Sequence, residues 1–109
     1  MQWRPLLSSS ALEPDRVVPV DVDGAAWVLW RSRAGGVCGT PRWCAHLDWD
    51  LADAGVAGDE VVCPGHGWSF DCVGQAFKRN EFGRMDAKGA VVQLDVRERD
   101  GMIEVRAAD

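Results

Sequence analysis

A chain of 109 residues, 47% hydrophobic and 27% charged, has the length for one domain with one core and the balance of an ordinary soluble protein. Its net charge of −5 and pI near 4.9 argue against nucleic acid or an anionic membrane as partner, and favour a basic docking face on another protein. Residues 1–11 hold no apolar run of the signal-peptide kind, and no stretch approaches the roughly 20 apolar residues of a transmembrane helix. A cytoplasmic location without membrane contact is therefore the expectation.

Residues 3–12 read as an opening strand and a loop: Trp3, Leu6 and Leu7 are apolar, then Ser8-Ser9-Ser10 and Pro14 break any period. Val17-Val18-Pro19-Val20-Asp21-Val22 is a β-type run in which Pro19 suggests an edge or a bulge. Asp23-Gly24 is a hairpin signal, and residues 25–31 pair back as the second strand. Ala34-Gly35-Gly36 makes another turn, and residues 37–43 form a third strand. Trp27, Leu29 and Trp30 lie on alternating faces of the second strand, more apolar surface than one core needs. The expected arrangement is still burial on one side with loop cover.

Residues 48–57 read as a short helical turn or an irregular loop. Gly58-Asp59 is a turn, Glu60-Val61-Val62 a short strand, and residues 68–71 another. Val73-Gly74-Gln75 is a turn. Residues 78–89 carry Gly83 and Gly89 with no clear period and read as a loop. Residues 91–99 form a strand, Asp100-Gly101 a hairpin turn, and residues 102–106 the closing strand. Short turns between short strands point to antiparallel pairing rather than βαβ units. The fold class is all-β: a small antiparallel β-sandwich or barrel, with two ligand-bearing loops inserted.

Those loops carry the chemistry. Cys44-Ala45-His46 and Cys63-Pro64-Gly65-His66-Gly67-Trp68 each offer a thiolate and an imidazole, with sixteen residues (47–62) between them. They hold the only two histidines of the chain, and each is within three residues of a cysteine. A mixed cysteine/histidine iron–sulfur centre needs this set: one iron held by two thiolates, the other by two imidazoles. Cys44 and Cys63 would take the first iron, His46 and His66 the second. A structural zinc site uses the same residue types, but zinc motifs usually pair like with like, and C-x-H is cramped for one tetrahedral ion. A nucleophilic Cys–His pair would leave the second pair idle.

The pattern C-x-H…C-x-x-H with the tail Cys63-Pro64-Gly65-His66-Gly67-Trp68-Ser69-Phe70-Asp71 resembles the Rieske family. The stretch from Leu51 through Val56-Ala57-Gly58-Asp59-Glu60-Val61-Val62-Cys63 is similar to the loop between ligand motifs in Rieske ferredoxins of bacterial oxygenase systems. The resemblance spans most of the chain, from Trp3 to the final strand. It implies a single Rieske domain over residues 1–109 with a cluster-binding subdomain at about 43–71. It implies a [2Fe–2S] cofactor, with Cys44, His46, Cys63 and His66 as its ligands and with no catalytic residue. In this family the histidines face solvent at the tip, so electrons would leave through His46 and His66.

Some family features are missing. High-potential members carry an extra cysteine in each loop, whereas Gly65 occupies that place in the second loop here, and the first offers Asp48 and Trp49. Trp68 and Phe70 stand where a serine and a tyrosine would donate hydrogen bonds to the cluster sulfurs. Their absence implies the low end of the Rieske range, about −150 mV. Ser69 should point away from the cluster, while Trp68 should cover it or fill the core. Pro64-Gly65 and Gly67 suit a backbone wrapped closely round a cluster.

The remaining cysteines, Cys38 and Cys72, read as buried small hydrophobes, with a bridge between them left open because each flanks a ligand loop. Asp48, Asp50, Asp53, Asp59 and Glu60 read as a solvated face or as an acidic docking rim. The function implied is that of a ferredoxin passing single electrons from a flavin-dependent or other reductase to a terminal oxygenase, as a monomer or weak oligomer. The alternative is the Rieske subunit or fragment of a non-haem iron oxygenase whose catalytic iron lies on another chain, since both histidines here are already committed. Residues 78–92 depart from the shorter return loop of typical ferredoxins.

Overall fold

The computed structural model describes residues 3–43, 50–64, 68–79, 85–91 and 93–106. Two of its hairpins follow directly from their turn residues. Asp23 and Gly24 take φ of 51° and 85°, and Asp100 and Gly101 take 52° and 77°. Positive φ at both central positions matches the twist of two antiparallel strands, and Asp-Gly is among the pairs that adopt it readily. The first turn joins β2 (Val17–Val22) to β3 (Ala25–Arg31), and the second joins β10 (Val96–Arg99) to β11 (Met102–Arg106).

Eleven strands and two short 3-10 turns, Ser9–Ala11 and Leu51–Asp53, occur among the described residues, and every named strand pairing is antiparallel. One sheet orders β1 (Trp3–Ser8), β11 and β10; a second orders β2, β3 and β4 (Val37–Pro41). The third runs in chain order through β5 (Gly55–Ala57), β6 (Glu60–Val62), β7 (Trp68–Asp71), β8 (Gln75–Arg79) and β9 (Met85–Ala90). Pro19 lies on β2, at an edge of its sheet, where its missing N–H breaks no ladder.

The expectation of one-sided burial for the second strand is corrected. β3 lies between two cores. Val28 and Trp30 enter a cluster with Cys38, Leu51, Val61, Cys63, Phe70 and Ala76. Leu29 enters another with Leu12, Val22, Leu94, Ile103 and Val105. A strand covered on both faces reads as a continuous apolar run, which is what Ala25-Ala26-Trp27-Val28-Leu29-Trp30 is. The buried Trp30 indole N–H is satisfied by Thr40 Oγ1 at 2.9 Å on the neighbouring strand.

Residues 78–89, expected as a loop, hold the end of β8 and most of β9, which pair with each other. β9 is the edge of the five-stranded sheet. An edge strand is held by its backbone ladder and needs no apolar alternation, so its sequence carries little period. The expected irregular stretch 48–57 likewise ends in the short edge strand β5. The expected strand 91–99 is regular only from Val96, because Leu94 leaves the line to donate its N–H to Gly39 O at 3.1 Å. A Cβ on Gly39 would lie 2.7 Å from Leu94 Cβ, so this crossing requires glycine.

Candidate metal centre

Each ligand loop is tied at its stem. In the second loop, Cys63 follows β6 and Trp68 opens β7, and Cys63 N–H donates to Trp68 O at 2.7 Å. The strands behind it pair through three positions, Val62 with Ser69, Val61 with Phe70, and Glu60 with Asp71. Cys63 is 2% exposed and its thiol is free of any disulfide. Pro64, the next residue, is exposed.

The first loop is tied differently. β4 ends at Pro41, and its sheet continues only through β3. Across the loop mouth, the described residues form one bridge, Trp43 opposite Asp50, with Leu51 N–H donating to Arg42 O at 2.7 Å. Side chains add to it. Arg42 Nε donates to Asp50 Oδ1 at 2.9 Å and Nη2 to Oδ2 at 3.0 Å, a two-point fork. The same Asp50 Oδ1 accepts from Ala52 N–H at 2.9 Å, capping the Leu51–Asp53 turn. The Arg42 fork first, and the Ala52 N–H second, hold the Asp50 carboxyl below the ordinary range, and Asp50 in turn raises Arg42. Trp43 is 50% exposed, with the Arg42 guanidinium 5.6 Å from its ring centre.

Both stems rest on the same core. Leu51, Val61, Cys63 and Phe70 belong to one buried cluster, and Trp68 is half-buried against it. Trp68 thus takes the core role foreseen for it. Ser69 lies on the other face of β7 from Phe70, 3% exposed, and its hydroxyl donates to Glu60 Oε1 at 2.9 Å. Of the expected ligands, Cys63 is placed, and Cys44, His46 and His66 lie outside the described residues, as do Asp48 and Trp49.

The carboxylates read as a rim are partly committed inside the molecule. Asp50 holds Arg42, Glu60 takes Ser69, and Asp59 Oδ1 accepts from Arg33 N–H at 3.1 Å, while Asp53 is exposed. Cys38 and Cys72 are not separate hydrophobes. They form a disulfide with Cα atoms 5.1 Å apart, joining β4 to the turn after β7. Sequence reasoning did not single out the Arg42–Asp50 fork. Its signal was available as opposite charges just outside the ends of one loop, but it has meaning only once those ends are known to meet.

The Rieske [2Fe-2S] domain family model matches residues 2–98. This chain belongs to the Rieske family. The [2Fe–2S] cluster is therefore its cofactor, and what is described of the site suits it: a buried free thiol at a loop entrance, with both loop stems converging on one buried apolar core. The domain is 33% identical over 107 residues to chlorophyllide a oxygenase, chloroplastic, of Chlamydomonas reinhardtii, covering 98% of this chain and 16% of that protein. It is 34% identical over 70 residues to cholesterol 7-desaturase nvd 1 of Ciona intestinalis, covering 63% of this chain and 15% of that one. The chain thus spans about a sixth of the length of these curated relatives. Among solved structures, apo dicamba monooxygenase matches with a TM-score of 0.85 and 25% identity over 99% of this chain and 34% of that chain. The Sphingomonas yanoikuyae B1 ferredoxin matches with a TM-score of 0.77 and 23% identity over 98% of this chain and 100% of that one, a likeness of fold.

Proposed function

We propose that this Rieske domain is the one-electron relay of an oxygenase system, with Cys44 and Cys63 holding one iron of the cluster and His46 and His66 the other. The observation that carries the reading is the convergence of the two loop stems. Leu51, leaving the first loop, and Cys63, entering the second, are 0% and 2% exposed in the same buried cluster. When bound between these residues, the cluster would supply one-electron redox chemistry. Burial keeps solvent from the Cys63 thiol, and the tied stems hold the loop ends in place, which favours little reorganisation on a change of charge. Phe70 and Trp68 offer no hydroxyl to the cluster sulfurs, which supports a potential near the low end, about −150 mV.

Of the two roles, the Rieske centre of an oxygenase is the better supported. The sequence relatives quoted above are an oxygenase and a desaturase, and the fold lies nearer to dicamba monooxygenase than to the ferredoxin, 0.85 against 0.77 in TM-score. The substrate-activating iron would then be held outside these 109 residues, whose two histidines are both committed. A free-standing ferredoxin, serving a reductase and a separate oxygenase, is the second reading. It is favoured by the match over the whole length of the S. yanoikuyae ferredoxin.

Iron and acid-labile sulfide in equal amounts, with a rhombic EPR signal on dithionite reduction, are the expected result for the purified protein. Zinc without sulfide, and no EPR signal, would overturn the reading. Mixing the reduced protein with an oxidised terminal oxygenase then separates the roles: a ferredoxin reduces it, and an oxygenase-type centre does not.

A further inference from the structure

We propose that the Arg42–Asp50 fork is the positioning device of the first ligand loop, fixing the register in which residues 44–49 present Cys44 and His46 and thereby helping to set the potential of the centre. This rests on the ligand assignment above and adds two residues outside it.

The argument begins with an asymmetry between the loops. The second loop projects from two strands that pair directly, with three successive positions behind it in register. Among the described residues, the first has no such ladder. Its incoming strand β4 pairs with β3, whereas its outgoing chain passes through the Leu51–Asp53 turn to β5, which pairs with β6. Among the described residues, the backbone ties across its mouth are the isolated Trp43–Asp50 bridge and the Leu51 N–H to Arg42 O bond. One bridge holds a stem less firmly than a ladder does, and a slip of one residue would turn over the side chains paired at the mouth.

The fork fills that gap. Two parallel N–H···O bonds at 2.9 and 3.0 Å fix distance and angle together, which one ammonium contact cannot. Asp50 also caps the turn that contains Leu51, which is 0% exposed in the shared core. The carboxylate thus couples the loop mouth to a buried anchor. Arg42 is fixed from behind, its N–H donating to Ala26 O on β3 at 3.2 Å. The pair is partly exposed, with side chains 33% and 27% accessible, so as a plain surface ion pair it would contribute little to stability. Its geometry is what the described residues of the stem otherwise lack.

Three readouts on the intact protein test this: iron and sulfide content, EPR line shape, and potential against a mediator. Arg42→Lys keeps the charge and loses the fork; Arg42→Met loses both; Asp50→Asn keeps the Ala52 cap and loses the charge. The expected result is that all three broaden the EPR signal and change the one-electron reduction equilibrium by about tenfold, or 59 mV. Lysine should behave like methionine rather than like wild type. A lysine variant indistinguishable from wild type in potential and line shape would overturn the proposal, leaving a charge effect. So would variants that only melt earlier, leaving a structural role. If Arg42→Met fails to hold iron, Arg42→Lys carries the test alone. A wild-type protein without sulfide would instead sink the ligand assignment, which keeps the two failures apart.

Discussion

Arg31 shows how much of this architecture hangs on a single side chain. It ends β3 and donates to Leu12 O at 2.7 Å, Gly35 O at 2.9 Å and both carboxylate oxygens of Glu98 at 3.0 and 2.5 Å. It therefore joins the β2–β3–β4 sheet to β10 of the β1–β11–β10 sheet. The Arg31 guanidinium is the main reason the Glu98 carboxyl is lowered from an ordinary 4.5 to about 2. Because the folded value is the lower one, the pair stabilises the fold fully above pH 4.5, and that contribution fades as pH falls towards 2. Urea titrations of wild type and Glu98→Gln should differ most near neutrality, and the gap should close through that window. A gap independent of pH would mean that the carboxylate's charge is not what matters.

At the scale of elements, the connections are as specific as the strands. Gly74 follows β7 with φ of 86°, donates its N–H to Asp71 O at 3.1 Å and accepts Val91 N–H on its own carbonyl at 2.8 Å. A Cβ there would lie 2.4 Å from Val91 O. Gly74→Ala should cost about 1–3 kcal/mol from the backbone angle alone, with the contact to Val91 added. A chemical-denaturation midpoint equal to wild type would contradict this. What could be read in the sequence divides along the same line. Asp23-Gly24 and Asp100-Gly101 announced their hairpins because turn geometry selects residues locally. The runs 17–22, 25–31 and 60–62 announced strands because at least one face is buried. β9 and β5 stayed hidden because they are edges, held by ladder bonds available to any sequence. β3 gave its apolar run but not its two partners, since nothing local tells a strand how many layers cover it. The cysteine and histidine spacing named the centre, whereas the fork beside it depends on which ends of the chain meet.

For the molecule as a whole, the Cys38–Cys72 disulfide, with a sequence separation of 34, is a covalent cross-link between the β2–β3–β4 sheet and the sheet that carries the second loop. Closing a loop of that length should stabilise the fold by about 4 kcal/mol through the entropy taken from the unfolded chain. Cys38→Ala combined with Cys72→Ala should lose about that much in urea unfolding, and reductant should then have no further effect. Equal stability of wild type with and without reductant would show that the tie does not form in solution.

The positions of the two bridged cysteines have a further consequence for the backbone. Cys44, His46, Cys63 and His66 all fall between them, inside one covalent ring. A protease that cuts once between residues 47 and 62 therefore opens the ring without dividing the molecule. Each side of the cut keeps one cysteine and one histidine of the proposed ligand set, and the two halves stay tethered. Only with a thiol reductant present does the nicked protein lose its covalent tether and leave half a centre on each piece.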